Sequence, residues 1–592
     1  MSPHAVLTPI WQRQLGTVCR TCRIKRLRPR LVSVGAVQKR RYFTPVTSSE
    51  DDSKEGDGDG REKVVILGSG WAGFVLSRRL DPDKYRIVVI SPRSYFVFTP
   101  LLNDTCVGTL EFRNVLESVR KRNRRVEYIQ AWADDISFAD KTVTVESSVL
   151  DPDVGHALTG PRKTNSSVEK PTDKAPGPGH ASVEGFIDQN VQMGGTGKQQ
   201  APTFPVRYDK LIIAVGTYSQ TFNTKGVREN AYFLKDVGDA VAIRRRILEL
   251  FELARLPIIP EDKKRFLLHF AIVGGGPTGM EFAACLSDLI REDISRIHPE
   301  LLKYIRISLY DVAPKVLPMF DAALADYAVK QYRRQNVEIK TSHHVEELRK
   351  GFPNDAEAAQ NQDEQRPGLV YTIRTKEEGD VGIGMCVWST GLMANPFVAK
   401  ALNHVLQFPA ESAQITQGEV ADPSQRQWTI QRDPKSGSIL VDDHFRVNLS
   451  AQAAEGETEE TVPQACMKDV FAVGDTTKLK TGALPATAQV ANQQALWLGK
   501  ALSKHPDPES FAQSAGFTFR NLGVFTYVGG AKAVLQGPNT DHEGIAKGLK
   551  GWVAFLLWRG AYLTMTLSWR NKFLVPMQWL AVKLFGRDIS RF

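Results

Sequence analysis

Short runs of consecutive apolar residues, each closed by glycine, alternate with stretches of helical periodicity through most of this chain. The first run, Val64 to Leu67, opens onto Gly68-Ser69-Gly70-Trp71-Ala72-Gly73 and is followed by a helical stretch and a second run, Arg86 to Ile90. A continuous apolar run predicts a strand buried on both faces, and strand, glycine-rich turn and helix in that order predict a nested parallel sheet. The same order returns at Phe270 to Val273, Gly274-Gly275-Gly276-Pro277-Thr278-Gly279 and Ile305 to Tyr310. Each unit closes on a further apolar strand ending in glycine, Leu211 to Thr217 and Cys386 to Gly391. The expected fold is α/β, with two Rossmann-like dinucleotide-binding domains, the second inserted into a discontinuous first, and a C-terminal helical segment at a membrane surface.

Polar stretches punctuate this pattern. Pro152 to Pro205 is rich in Gly, Pro, Lys, Ser and Thr and reads as a surface insertion, and Gly351 to Pro367, Ala410 to Ser436 and Ala451 to Pro463 read as elaborated loops. The expected division is 1–60 for a presequence and acidic linker, 61–235 and 401–510 for the two parts of the first domain, 236–400 for the second domain and 511–592 for the C-terminal segment.

Charge alters the picture at the ends. Of a net +10 over 592 residues, much sits before Glu50, the first acidic residue, where Arg13, Arg20, Arg23, Lys25, Arg26, Arg28, Arg30, Lys39, Arg40 and Arg41 stand without a continuous apolar core. That is the composition of a mitochondrial presequence and excludes a secretory signal. A net positive charge concentrated at the two ends also argues against a nucleic-acid surface. Residues Glu50 to Gly60 approach a calcium-loop rhythm but lack flanking amphipathic helices, so they read as a linker. Among the cysteines the only close pair, Cys19 and Cys22, falls in the presequence, which leaves neither a disulfide framework nor a metal site in the remainder.

The glycines of the first motif suit close approach of backbone N–H groups to a pyrophosphate at a helix N-terminus. Where an acidic residue would hold a ribose, this unit has Ser91-Pro92-Arg93. The second unit ends its second strand in Asp311, a carboxylate that accepts ribose hydroxyls and repels a 2′-phosphate, so NADH is expected over NADPH. Asp311 follows Gly279 at more than the usual ~20 residues, which requires an extended intervening helix. Downstream, Asp469 to Thr476 is a short strand ending in Gly474-Asp475, and a helix begins after Pro485.

The duplicated units and the Gly-Asp return resemble the two-dinucleotide-binding-domain flavoproteins. The segments Ser91 to Leu102, Gly274 to Ala283, Phe471 to Asp475, Pro485 to Gln493 and Phe555 to Leu563 are similar, more narrowly, to the mitochondrial alternative (type II) NADH:ubiquinone oxidoreductases. The resemblance implies FAD in the first unit, NADH in the second, and ubiquinone as electron acceptor at the inner mitochondrial membrane without proton pumping. It makes Ser91, Pro92 and Arg93 a normal FAD-side sequence. It carries Asp475, with Gly474 and Ala488, onto FAD, adds Gly391 to the nucleotide-binding residues, and places Glu281 near the nicotinamide and flavin rings. Gln489 falls on the quinone-pocket glutamine and Asn492 stands where a histidine is common. A homodimer is also implied. Sulfide:quinone reductase and an apoptosis-inducing-factor-like flavoprotein are the rival readings.

The tail carries two apolar stretches, Trp552 to Leu567 interrupted by Arg559, and Phe573 to Phe585, each short of the ~20 apolar residues a span requires. Tryptophans at 552, 558, 569 and 579 and an excess of Arg and Lys predict a helical pair lying on the membrane through residues 551–592.

Overall fold

The computed structural model describes residues 60–120, 125–149, 203–353, 369–402, 406–418, 420, 422–453, 462–538, 548–566 and 568–590. The presequence, nearly all of the acidic linker, most of the 152–205 insertion and most of the 351–367 loop lie outside them.

The first apolar run forms the strand Glu62–Leu67, flanked in parallel by Tyr85–Ser91 on one side and Lys210–Ile213 on the other. Val64, Val65, Ile66 and Leu67 are fully buried, the outcome expected where helices cover both faces of a parallel sheet. The chain leaves this sheet and returns to it late: Gln464–Ala472 pairs in parallel with Lys210–Ile213, Val470 opposite Leu211. The intervening residues build a second, five-stranded parallel sheet in the order Tyr232–Phe233, Met385–Trp388, His269–Val273, Arg306–Asp311, Val337–Thr341. The chain crosses between the units on an antiparallel pair, Thr217–Ser219 with Leu392–Ala394. The long separation of Gly279 from Asp311 is filled as expected, by the helix Pro277–Leu289, a π turn over Ile290–Ile294 and a 3-10 turn over Pro299–Tyr304.

One expectation is corrected. The polar stretch 410–436 contains the strands Ala413–Gln417 and Gln427–Ile430, which pair antiparallel with Gln464–Ala472 and Arg446–Ala451. The sequence Ala-Gln-Ile-Thr-Gln keeps one strand largely solvated, and a strand without an apolar face looks like a loop in sequence. The C-terminal segment has the expected pair of helices and adds strands ahead of them. Val524–Tyr527, Ala533–Gln536 and Leu549–Gly551 form a small antiparallel sheet before the helices Trp552–Met565 and Trp569–Phe585. Its first hairpin turns through Gly529, Gly530 and Ala531, all at positive φ, with the Gly530 N–H held by Asp288 at 3.0 Å. No described helix is long and apolar enough to cross a membrane.

Candidate active site at the junction of two nucleotide cradles

In the first cradle Gly68 adopts φ +106 with its position closed by the Ala214 carbonyl, 2.4 Å from where a Cβ would stand. At Gly73 the Gly68 carbonyl lies 2.0 Å from such a Cβ, so only glycine lets the Trp71–Arg79 helix sit this close to the strand. Gly70 has open space around its would-be Cβ and caps that helix without a side-chain acceptor, leaving the N-terminal N–H groups for an anion. Ser69 bonds Ser91 Oγ at 2.9 Å and donates to the Arg93 carbonyl at 3.0 Å, which pins Ser91-Pro92-Arg93 beside the motif. Trp71 serves this loop by packing, with its indole N–H on Thr99 Oγ1 at 2.9 Å and its ring edge on Phe96.

Gly474-Asp475 returns to the same cradle. A Cβ on Gly474 would stand 3.2 Å from Ala72, and the Gly474 N–H is taken by Gln494 Oε1 at 2.7 Å. Burial pushes the Asp475 carboxyl up, and the Lys235 ammonium opposes the rise. Lys235 donates to the Thr217 carbonyl at 2.7 Å, and burial pulls its own pKa down to about 8. Arg93 faces Asp236 at 3.5 Å, and the Tyr95 hydroxyl donates to the same carboxylate at 3.2 Å. Open glycine, a bare helix terminus and a half-buried carboxylate to which no described hydrogen bond is donated fit the phosphates and polyol of a flavin dinucleotide. Lys235 and Gln494 were not singled out in sequence, where nothing distinguishes them from surface residues.

The second cradle repeats the first. Gly274, at φ +115, is closed by the Ser389 carbonyl, and Gly279 by the Gly274 carbonyl at 2.1 Å, while Gly276 is open and caps the Pro277–Leu289 helix. Gly275 N–H donates to Asp311 Oδ2 and Ala313 N–H to Oδ1 at 2.7 Å. Asp311 therefore stands at the strand end against the glycine turn, its two oxygens oriented by backbone donors. Gly391 lies at the end of the neighbouring strand, its carbonyl accepting from Gln220 N–H at 2.8 Å.

A cavity of about 190 Å³ lies where the units meet, with Thr99, Pro100, Leu102 and Asn103 from the first, Pro277, Thr278 and Glu281 from the second, and Phe525 and Tyr562 from the C-terminal segment. Burial pushes the Glu281 carboxyl up to about 8, although the Tyr527 N–H at 3.1 Å and Asn103 Nδ2 at 3.2 Å favour the charged form. At neutral pH the buried group is thus largely protonated. Asn103 and Phe525 carried no functional expectation, and Tyr562 appeared only within the tail motif.

Gln489 and Asn492 do not line this cavity. They lie on the helix Ala488–Lys504, which Thr487 caps. Gln489 receives the Leu522 N–H at 3.0 Å and donates to the Gly523 carbonyl at 3.2 Å. One turn on, Gln493 receives the Arg520 N–H at 3.1 Å and donates to its carbonyl at 2.8 Å. Two side-chain amides thereby grip an extended segment that leads to Phe525.

Two dinucleotide cradles around a shared, partly apolar cavity define a nucleotide-dependent redox protein. Residues 62–407 match the model of the pyridine nucleotide-disulphide oxidoreductase family, and residues 521–588 match the NDH2 C-terminal domain. The chain is 32% identical to a probable NADH dehydrogenase of Dictyostelium discoideum over 539 residues, 90% of this chain and 91% of that protein. It is 31% identical to an internal alternative NAD(P)H-ubiquinone oxidoreductase A1, mitochondrial, of Arabidopsis thaliana, covering 94% of this chain and 93% of the relative. The solved structure of NDH2 from Plasmodium falciparum in complex with NADH shares its fold, with a TM-score of 0.63 at 22% identity over 90% of this chain and 100% of that one. This chain belongs to the alternative NAD(P)H-ubiquinone oxidoreductase family, and the sulfide:quinone and apoptosis-inducing-factor-like readings fall away.

Proposed function

We propose that this chain oxidises NADH and reduces ubiquinone at the inner mitochondrial membrane, with FAD in the first cradle and NADH in the second. The observation that carries this reading is the shared cavity, since hydride transfer requires the two rings to meet and all three parts of the chain converge there. FAD, held by the first cradle, would supply the two-electron redox chemistry that links NADH to the quinone.

The protein's own residues bind, orient and exclude. Gly68 to Gly73 present backbone N–H groups to the FAD diphosphate, with Ser91 and Arg93 beside it. Asp475 holds the ribityl hydroxyls, its charge balanced by Lys235. Gly274 to Gly279 and Asp311 hold NADH, and the Asp311 carboxylate disfavours a 2′-phosphate. Pro100, Leu102 and Leu234 keep water from the reacting rings. Glu281 holds a proton at the same place. The exposed apolar side chains of the two tail helices, Leu556 and Trp569 among them, support docking on the lipid surface beside this cavity.

Anaerobic mixing of the purified flavoenzyme with NADH should bleach the flavin absorbance, and a short-chain ubiquinone added next should restore it. NADPH should bleach it at least about tenfold less efficiently, the cost of placing a 2′-phosphate against a carboxylate. A flavin that NADH leaves oxidised, or that ubiquinone leaves reduced, would overturn the reading.

A further inference from the structure

Phe222 lies in the loop 220–224, just past the strand Thr217–Ser219, and leaves 64% of its surface exposed. Its backbone is at φ +53 and that of Asn223 at φ +56, a left-handed conformation that a bulky L-residue seldom adopts. Hydrogen bonds to the neighbouring strand end hold the loop in that shape. The Gln220 carbonyl accepts from Trp388 Nε1 at 2.9 Å and from Thr390 Oγ1 at 2.6 Å, and the Gln220 N–H donates to the Gly391 carbonyl at 2.8 Å. The Phe222 N–H donates to Gln220 Oε1 at 3.2 Å. The tip of the Phe222 ring is thereby set 3.8 Å from where a Cβ on Gly391 would stand, and among the described residues nothing else beyond the chain neighbours of Gly391 comes within 4 Å of that point. A large apolar side chain on a strained backbone, largely in solvent beside an open glycine, is not accounted for by packing, and such outliers gather at ligand clamps.

Sheet order decides what passes Gly391. In the second sheet Arg306–Asp311 flanks the central strand His269–Val273 on one side, and Met385–Trp388 flanks it on the other. With adenosine at Asp311 and the diphosphate at the bare helix end beside Gly276, the remaining half of a dinucleotide crosses to the Met385–Trp388 side, where Gly391 stands. We propose that Phe222 is a substrate-contacting residue whose ring covers the nicotinamide riboside of NADH beside Gly391. This rests on the reading that the second cradle takes NADH. A flat, uncharged ring shields that half from water, and its contact surface comes with few side-chain torsions to order.

The test is anaerobic reduction of the intact flavoenzyme by NADH, the Kd being read from the saturation of the flavin reduction rate. ADP serves as competitor, since it carries the adenosine and diphosphate but no nicotinamide riboside. Glycine adopts the left-handed conformation without strain, so Phe222→Gly removes the ring and relaxes the backbone together. Its nucleotide-free form should melt no lower than the parent. Its Kd for NADH should rise about fivefold, the loss expected when part of an aromatic face no longer covers a ligand, while its affinity for ADP stays within about twofold of the parent's. Phe222→Trp should bring the NADH Kd back to within about twofold of the parent's. An unchanged NADH Kd in Phe222→Gly would overturn the proposal, whatever the melting temperature does. Equal weakening of NADH and ADP would also overturn it, since the ring would then act on the half that both share or on the loop as a whole. A parent whose flavin NADH leaves oxidised would refute instead the placement of NADH in the second cradle.

Discussion

The guanidinium carbon of Arg559 lies 4.3 Å from the ring centroid of Trp579, and the same group stands 4.6 Å from Phe555. Arg559 belongs to the first tail helix and Trp579 to the second, so the cation fastens the pair. Trp579 in turn donates its indole N–H to Asp104 at 3.1 Å, next to the cavity residue Asn103. Burial lowers the Arg559 pKa from its ordinary value and the Asp104 charge opposes that. A residue that interrupts an apolar run in sequence thus joins two helices to the first nucleotide unit. Arg587 extends the attachment, pairing with Asp293 at 2.6 Å.

That attachment separates two jobs within the tail. Trp558 and Trp579 are buried against the body, while Trp569, Phe573 and Phe585 are 86%, 67% and 87% exposed. Replacing the three exposed residues by serine should abolish sedimentation with anionic lipid vesicles while flavin content stays normal. Turnover with long-tailed quinone should fall more than turnover with a short, soluble one. A triple variant that still sediments with vesicles in high salt would refute the anchoring role. Deleting residues 551–592 is a poorer experiment, because it also removes Trp558, which stacks on Tyr527 at 5.4 Å and so supports the Glu281 contact.

Asp475 and Lys235 are half-buried groups of opposite charge in the FAD cradle, each opposing the other's desolvation. Asp475→Ala should yield protein with little bound flavin and a lowered melting temperature, because the Lys235 ammonium loses the opposite charge that offsets its desolvation. Adding Lys235→Met should restore part of the melting temperature without restoring flavin. A single variant with a full flavin spectrum and normal turnover would show that Asp475 does not hold the cofactor.

Glu281 gives stability a pH dependence of determined sign. Its carboxyl is raised from 4.5 to about 8, so the folded chain keeps a proton that the unfolded chain releases. The resulting stability is fully present below about pH 4.5 and is lost as the pH rises through about 8. Glu281→Gln cannot ionise. It should melt close to the parent at low pH and several degrees above it at pH 9. A melting difference that is flat across this range would mean that the carboxyl is not buried as described.

Gln489 and Gln493 spend their amides on the backbone of residues 520–523. Leucine at either position should speed amide hydrogen exchange through residues 520–527 and slow quinone reduction, with NADH reduction of the flavin affected less. The two substitutions should be less than additive, since they release one segment. If Gln489→Leu alone raises the KM for ubiquinone while exchange is unchanged, Gln489 touches the quinone directly. Asn492 would then be the next residue to test on that helix face.

Both nucleotide cradles were legible in the residue pattern because their causes are local. Gly68 and Gly274 must adopt positive φ, the apolar runs must be buried on both faces, and each helix must start bare of a side-chain cap. The tail's two helices were legible for the same reason, from apolar stretches too short to span a bilayer. What tertiary structure alone decided are the meetings of distant residues. Asn103 and Glu281 are 178 positions apart, and Asp104 and Trp579 are 475 apart. Nothing in the flanking sequence of Lys235 or Gln494 marks them, and the apolar run around Arg559 marks its charge but not its partners, since each acquires its role from the burial and charge that other segments bring to it. Sequence periodicity specifies which face of an element is buried, but the partner opposite that face is fixed only when the units close on one another.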